Sequence, residues 1–340
     1  MRLSRFLQAA ALSLGLLPAA APAVEPIPID ALARLPNIDY ASMSSDGKTI
    51  VAIVAMPGSD NKETGVATWD LDNLDRGPII TPSGDRMKFI AASAMKADRM
   101  LVIGRQEWTG QLASCGEGRS TGATRTFVTK AYLADTGHKK FSEAFADNTR
   151  RLGVSEDMQR CLEIQGTAAL INTLPLDPEN VIIQQLNSAT LAANYYLYNL
   201  RTGETSLLFR GGGRSSPGLF NPRDGSLLTR TEIEPISGGD FEQRVLVKNP
   251  ASGEFEVHDN LTRKVSERHA VNIVGIDEET NKFYVLTDLF SDLVQAWMYD
   301  PAARKFDDEP LLAHPEFSIA SLILGTQPSN FNKVLGFVVD

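Results

Sequence analysis

The residues that could do chemistry are few, and each must be weighed against its neighbours. Gly118-Arg119-Ser120-Thr121-Gly122 carries the letters of G-x-S-x-G. That turn exposes a nucleophilic serine only when an apolar strand precedes it and a helix follows, because the sharp bend lifts the hydroxyl clear of the sheet. Here Ala113-Ser114-Cys115-Gly116-Glu117 precedes and the strand-like Arg125-Thr126-Phe127-Val128 follows. Ser120 is therefore read as a loop residue. Gly47-Lys48-Thr49 resembles the end of a phosphate-binding loop, but Ser42 stands where its first glycine belongs and a strand comes next. Gly211-Gly212-Gly213-Arg214 lacks dinucleotide-binding spacing and opens no helix, so it reads as a connector.

The four histidines, His138, His258, His269 and His314, form no tight cluster and no pair four residues apart on a helix. No catalytic residue, metal ligand or cofactor-binding residue is assigned. His138 falls in a predicted hairpin and is expected in solvent. The acidic runs Asp307-Asp308-Glu309 and Glu278-Glu279 read as solvated turns. Cys115 and Cys161 are the two cysteines. In an oxidising compartment such a pair is expected to form a disulfide, and two cysteines without a nearby histidine make a poor zinc site.

The compartment is read from the N-terminus. Arg2 and Arg5 precede an apolar stretch over 6–17, and Ala21-Pro22-Ala23 supplies a small-x-small cleavage site. Residues 1–23 are expected to be a signal peptide, giving a periplasmic or secreted protein. The apolar stretch is shorter than the about 20 residues of a membrane span, so no span is expected. Losing Arg2 and Arg5 takes the formal net charge from −9 to −11. The acidic balance argues against a general nucleic-acid binder, which would need a basic surface to release phosphate counterions, and 43% apolar residues in 340 are ample for a packed core.

Short β-branched and aromatic runs broken by Gly, Asp, Asn and Pro predict antiparallel strands. They recur as a unit. Ser44-Ser45-Asp46-Gly47 leads into Ile50-Val51-Ala52-Ile53-Val54 and then Val66-Ala67-Thr68-Trp69. Equivalent turns fall at Asp98, Pro178, Asp224, Thr280 and Asn332, about 50 residues apart except where one insertion intervenes. Four strands per unit at this period predict an all-β fold, a β-propeller of four-stranded blades, with five blades and part of a sixth visible over 24–340. Between 106 and 166 the pattern breaks within blade 2. A loop and helical insertion is expected there, with Phe141, Phe145 and Leu152 on one helix face, clipped by the Cys115–Cys161 bond.

The opening 26–37, "PIPIDALARLPN", followed by "IDYASMSSDGKTIVAIV", resembles the start of a secreted bacterial peptidase of the prolyl oligopeptidase family. The resemblance implies an N-terminal propeller that limits access to a chamber. The serine, aspartate and histidine would lie in a C-terminal α/β-hydrolase domain that this sequence does not contain. The chain alone is then expected to be catalytically inert, with peptide substrates handled by that further domain. The apolar ending Val334-Leu335-Gly336-Phe337-Val338-Val339 reads as part of an unfinished blade whose open edge invites self-association. The alternative from another class is a free-standing periplasmic propeller that binds a protein or small ligand. Mass spectrometry of periplasmic protein without reduction should find Cys115 and Cys161 joined; two alkylatable thiols would defeat that expectation.

Overall fold

The computed structural model describes residues 36–84, 87–110, 124–145, 168–187 and 192–340, with Gly153 and Glu156 as isolated positions. Residues 1–35, Cys115, Ser120, Leu152 and Cys161 lie outside the described residues, and with them the signal peptide, the disulfide and the G-x-S-x-G loop.

The described chain is all-β and antiparallel, in sheets whose strands follow one another in sequence order. The first sheet is β1 (Ile38–Met43), β2 (Thr49–Ala55), β3 (Thr64–Asp70) and β4 (Ile79–Pro82). The second is β5 (Met87–Ala94), β6 (Arg99–Gly110), β7 (Thr124–Asp135) and β8 (Phe141–Glu143). The third is β9 (Ala168–Asn172), β10 (Asn180–Asn187), β11 (Ala192–Asn199) and β12 (Thr205–Arg210). In the fourth, β13 (Ser215–Pro217), β14 (Thr229–Pro235), β15 (Phe241–Lys248) and β16 (Phe255–Val257) are joined by β17 (Arg263–Lys264), which pairs with β15. The fifth is β18 (Val271–Ile276), β19 (Phe283–Thr287), β20 (Gln295–Asp300) and β21 (Lys305–Phe306). A two-stranded sheet, β22 (Ile319–Leu324) with β23 (Val334–Val339), comes last.

Side chains alternate across a strand, so a sheet covered on both sides must be apolar on both faces. The second strand meets this demand in the first, second, third and fifth sheets, and the third strand, β15, meets it in the fourth. Met100 and Val102 of β6 pack with Val51, Ile53 and Val66 of the first sheet, while Leu101 between them packs with Val181, Ile183 and Tyr198 of the third. Ile182 of β10 turns the other way, towards Phe220 and Leu227, which pair in the connection between β13 and β14. Phe283 and Val285 of β19 pack with Val245 and Val247, and Leu286 packs with Ile319 of the last sheet. Sheets of four-stranded meander stacked face to face in chain order are the arrangement of a β-propeller.

Polar contacts stitch the same joints. Thr64 Oγ1 donates to the Phe89 carbonyl at 3.1 Å, and the Ala94 N–H donates to Ser42 Oγ at 2.6 Å. His138 sits in the turn after β7, but it is not in solvent as its hairpin position predicts. Thr68 Oγ1 donates to the Thr136 carbonyl and takes the His138 Nε2 hydrogen at 3.1 Å, which leaves Nδ1 to accept from Thr81 Oγ1 at 2.8 Å. The turn packs against the first sheet, so burial pushes the imidazole below its usual value despite Asp135 nearby.

The expected insertion is also redrawn. Strand β6 continues to Gly110 and pairs with β7 from Thr124 onward, so residues 106–110 and 124–135 belong to the second sheet. Phe141 lies in β8 and not on a helix, because the outer edge of β7 needs a partner and takes Phe141, Ser142 and Glu143. The four-residue spacing from Phe141 to Phe145 mimics a helix face because Phe145 has a left-handed backbone, φ 58°, which aims its ring at Tyr198 with centroids 4.9 Å apart.

Two glycines separate backbone conformation from packing. Gly47 and Gly225 both have left-handed backbones, φ 72° and 70°. A Cβ on Gly47 would meet open space, whereas one on Gly225 would lie 2.8 Å from Leu197 Cδ1 and 3.3 Å from Leu174 Cδ1. Gly47→Ala should cost about 1 kcal/mol for the left-handed backbone alone. Gly225→Ala should add about 1–3 kcal/mol of overpacking, a difference to be read from urea midpoints at equal slope.

Candidate functional site

Within each sheet the turn between the first and second strands carries polar residues, and serial stacking brings these turns together at one end of the molecule. A cavity of about 360 Å³ is lined by Asp46 of the first sheet, Lys96 and Asp98 of the second, Asp177 of the third, Arg223 of the fourth and Pro328 of the last. Residues nearly 300 positions apart in the chain thus share one opening. The fifth sheet joins through its own turn, where Glu278 accepts from Arg223 Nη2 at 2.9 Å.

Each turn is rigid for a local reason. Asp46 accepts from Ser44 Oγ at 2.6 Å and from the Lys48 N–H at 3.1 Å, and these bonds hold its carboxyl below the ordinary range. Asp177 accepts from the N–H groups of Glu179 and Asn180 at 2.8 and 2.7 Å. Burial raises its pKa, but these bonds, the Asn180 side chain and the Lys96 charge together leave it lowered. Lys96 crosses from the second sheet to the third, where Nζ donates to the carbonyls of Thr173 at 2.7 Å and Leu174 at 2.6 Å. Burial pulls this ammonium down to about 8, against the opposing pull of Asp177.

The opening can therefore engage a polar chain through unlike charges: two cations, Lys96 and Arg223, among the carboxylates Asp46, Asp98 and Asp177. An ammonium has three donors and the two carbonyls use two, so one donor remains. The sequence placed these residues in repeated turns but did not mark them as a site. The signal was the recurrence of charge at one position of a repeat.

Residues weighed from the sequence as chemical candidates are placed as follows. Gly47-Lys48-Thr49 is the turn into β2, and Gly211–Arg214 lies between β12 and β13. His269 Nδ1 lies 3.3 Å from Asp288 Oδ1, and His314 Nδ1 accepts from the N–H groups of Glu316 and Phe317. Among the described residues no serine hydroxyl pairs with a histidine ring, and no three His, Cys, Asp or Glu side chains gather as a metal site. No described helix is long and apolar enough to cross a membrane. Glu278 and Asp307 are not purely solvated, since each holds an ion pair, with Arg223 and with Lys282 respectively.

No protein-family model matches the sequence, and neither does any curated protein. Solved structures do resemble it. The acylaminoacyl peptidase of Pyrococcus horikoshii is 11% identical with a TM-score of 0.37, over 85% of this chain and 40% of that one. Dipeptidyl peptidase 4 of Porphyromonas gingivalis is 7% identical with a TM-score of 0.41, over 83% and 40%. The β-propeller domain of the Trilobed protease of Pyrococcus furiosus, described as having an open velcro topology, is 11% identical with a TM-score of 0.41, over 84% and 74%. The chain thus spans about two fifths of the length of the first two.

Lys96 offers a direct check. Its folded pKa of about 8 lies below the ordinary 10.5, so between those values the unfolded chain binds more protons and folding stability rises with pH. The stability of the protein relative to its Lys96→Met variant should therefore grow from pH 8 to pH 10.5, measured by urea unfolding. A difference that stays flat would mean that Lys96 titrates normally.

Proposed function

We propose that this chain is the substrate-access propeller of a periplasmic serine peptidase of the prolyl oligopeptidase family. It would be non-catalytic in itself, with peptides cleaved in an α/β-hydrolase domain carried elsewhere in a longer protein. The observation that carries the reading is the convergence of the inner turns on one charged opening, where Lys96, Arg223, Asp46 and Asp177 could meet a peptide's carboxylate, ammonium and backbone groups. The sequence resemblance beginning at Pro26 supplies the family and the serine chemistry. In this reading the exposed apolar side chains of β23, with Leu335 at 61% exposure, pack against further strands of the ring. Without those strands they would drive self-association.

A second reading, a free-standing binding propeller, is favoured by the same opening, because its unlike charges would hold a polar ligand without any attached enzyme. Activity labelling separates the two. An antibody raised against residues 36–340 should recover, from the native periplasm, a polypeptide markedly larger than 340 residues that a fluorophosphonate labels and that cleaves acylated peptide esters. The label should map outside residues 24–340. A mature protein ending at Asp340 that takes no label and cleaves no peptide would sink the peptidase reading in favour of the binding one.

A further inference from the structure

A cavity of about 710 Å³ lies between the fourth and fifth sheets, bordered by the turns that follow β15, β18 and β20. Its apolar walls are Leu228, Val247, Ile276 and Phe283. His258 also lines it, with 3% of its surface exposed.

The protons on His258 can be placed. Its Nδ1 is 2.9 Å from the hydroxyl of Tyr299, which is fully buried. Burial pushes the Tyr299 phenol up to about 12, so it keeps its hydrogen, and Nδ1 is its one acceptor among the described residues. The hydroxyl therefore donates to Nδ1, which leaves the imidazole hydrogen on Nε2. Burial and then the Arg304 charge push the imidazole below its usual value, against the opposing pull of Glu256 and Asp259. A structural strut between two sheets accounts for Nδ1. It does not account for Nε2, a donor with no partner among the described residues on a ring that faces a cavity.

The charges at the rim indicate what fits. Glu256 is committed to Arg304 and to Asn249, whose Nδ2 donates to it at 2.8 Å. Asp300 accepts from the N–H groups of Ala302 and Ala303. Lys248 borders the cavity, and its ammonium has no ion-pair or hydrogen-bonding partner among the described residues. Glu256 is thus ion-paired and Asp300 is held through Oδ1 by its own turn, while the Lys248 ammonium and the His258 Nε2 donor have no partner among the described residues.

We propose that this cavity binds a small apolar monocarboxylate, its body against Val247, Ile276 and Phe283 and its carboxylate taken by His258 Nε2 and the Lys248 ammonium. The inference goes beyond the peptidase reading and does not depend on it. The ligand could be the C-terminal residue of a peptide or a free aliphatic acid, since the two share this chemistry.

The test uses the full chain with ¹⁵N-labelled histidine, the His258 ring signals being assigned by their loss in His258→Gln. N-acetylphenylalanine and octanoate are titrated separately, with N-acetylphenylalaninamide as the uncharged control. Saturable shifts of the His258 signals with either acid, and about tenfold weaker binding in Lys248→Met from the lost charge-assisted contact, are the expected result. The stronger acid names the source. The rim variant Lys248→Met leaves the His258–Tyr299 pair in place, so its fold is checked by unchanged His258 signals without ligand. A His258 ring unmoved by both acids, moved equally by the amide, or saturating equally in Lys248→Met would overturn the proposal.

Discussion

A four-stranded sheet without helices has two apolar faces and nothing of its own to cover them. Every larger feature of this molecule follows from that constraint. Val102 and Leu101 are adjacent in β6, yet one packs with the first sheet and the other with the third. Removing a sheet would therefore uncover a face on each neighbour. Stability in such an array is a sum of each sheet's own stability and of its joints with its neighbours. Buried apolar area supplies most of each joint, and the polar bridges add direction: His138 to Thr68 and Thr81, Lys96 to Thr173 and Leu174, and Asn260 to the Arg304 carbonyl at 2.7 Å.

Stacking in chain order also decides where polar groups gather. Each sheet starts with the same up-and-down order, so corresponding turns emerge at the same end. A second set of turns, between the third and fourth strands, shows how uniform the repeat is. Each opens on an aspartate or asparagine whose side chain accepts from backbone N–H groups two or more residues on: Asp70, Asp135, Asn199, Asn249 and Asp300. These Asx turns close the hairpins locally, whatever the joints on either side.

That locality explains what could be read from the sequence. The Asp46-Gly47 and Asp224-Gly225 turns announce themselves because a left-handed glycine after an aspartate needs no distant partner. The strands around Val51, Val181 and Val285 were legible because burial on both faces leaves continuous apolar runs. Phe141 and Phe145 were misread as a helix face because β8 exists only as the partner of β7, a pairing that spacing cannot reveal. His138 was misplaced in solvent for the same reason: the threonines that hold it belong to another sheet. The Asx residues from Asp70 to Asp300 carry a weaker sequence signal, since a single polar letter at the end of a strand stands out only once the strands are aligned. The charged opening needed more still, because Lys96 and Arg223 become neighbours only when the sheets stack.

The division of labour between sheet and turn also bears on how binding could arise in such a fold. Apolar joints tolerate little change, since substitutions that enlarge a side chain there strain two sheets at once. The turns are closed by their own Asx and glycine chemistry, so their remaining side chains are free to vary without cost to the joints. Arg223 stands at such a position, whereas Lys96 also ties its turn to the third sheet through the Thr173 and Leu174 carbonyls, and Lys248 ends strand β15 at the rim of a cavity. His258 is the exception that sits inside a joint. Its Tyr299 partner satisfies one nitrogen and thereby fixes the hydrogen on the other, so the packing that holds the fourth and fifth sheets together also orients a donor towards the cavity between them.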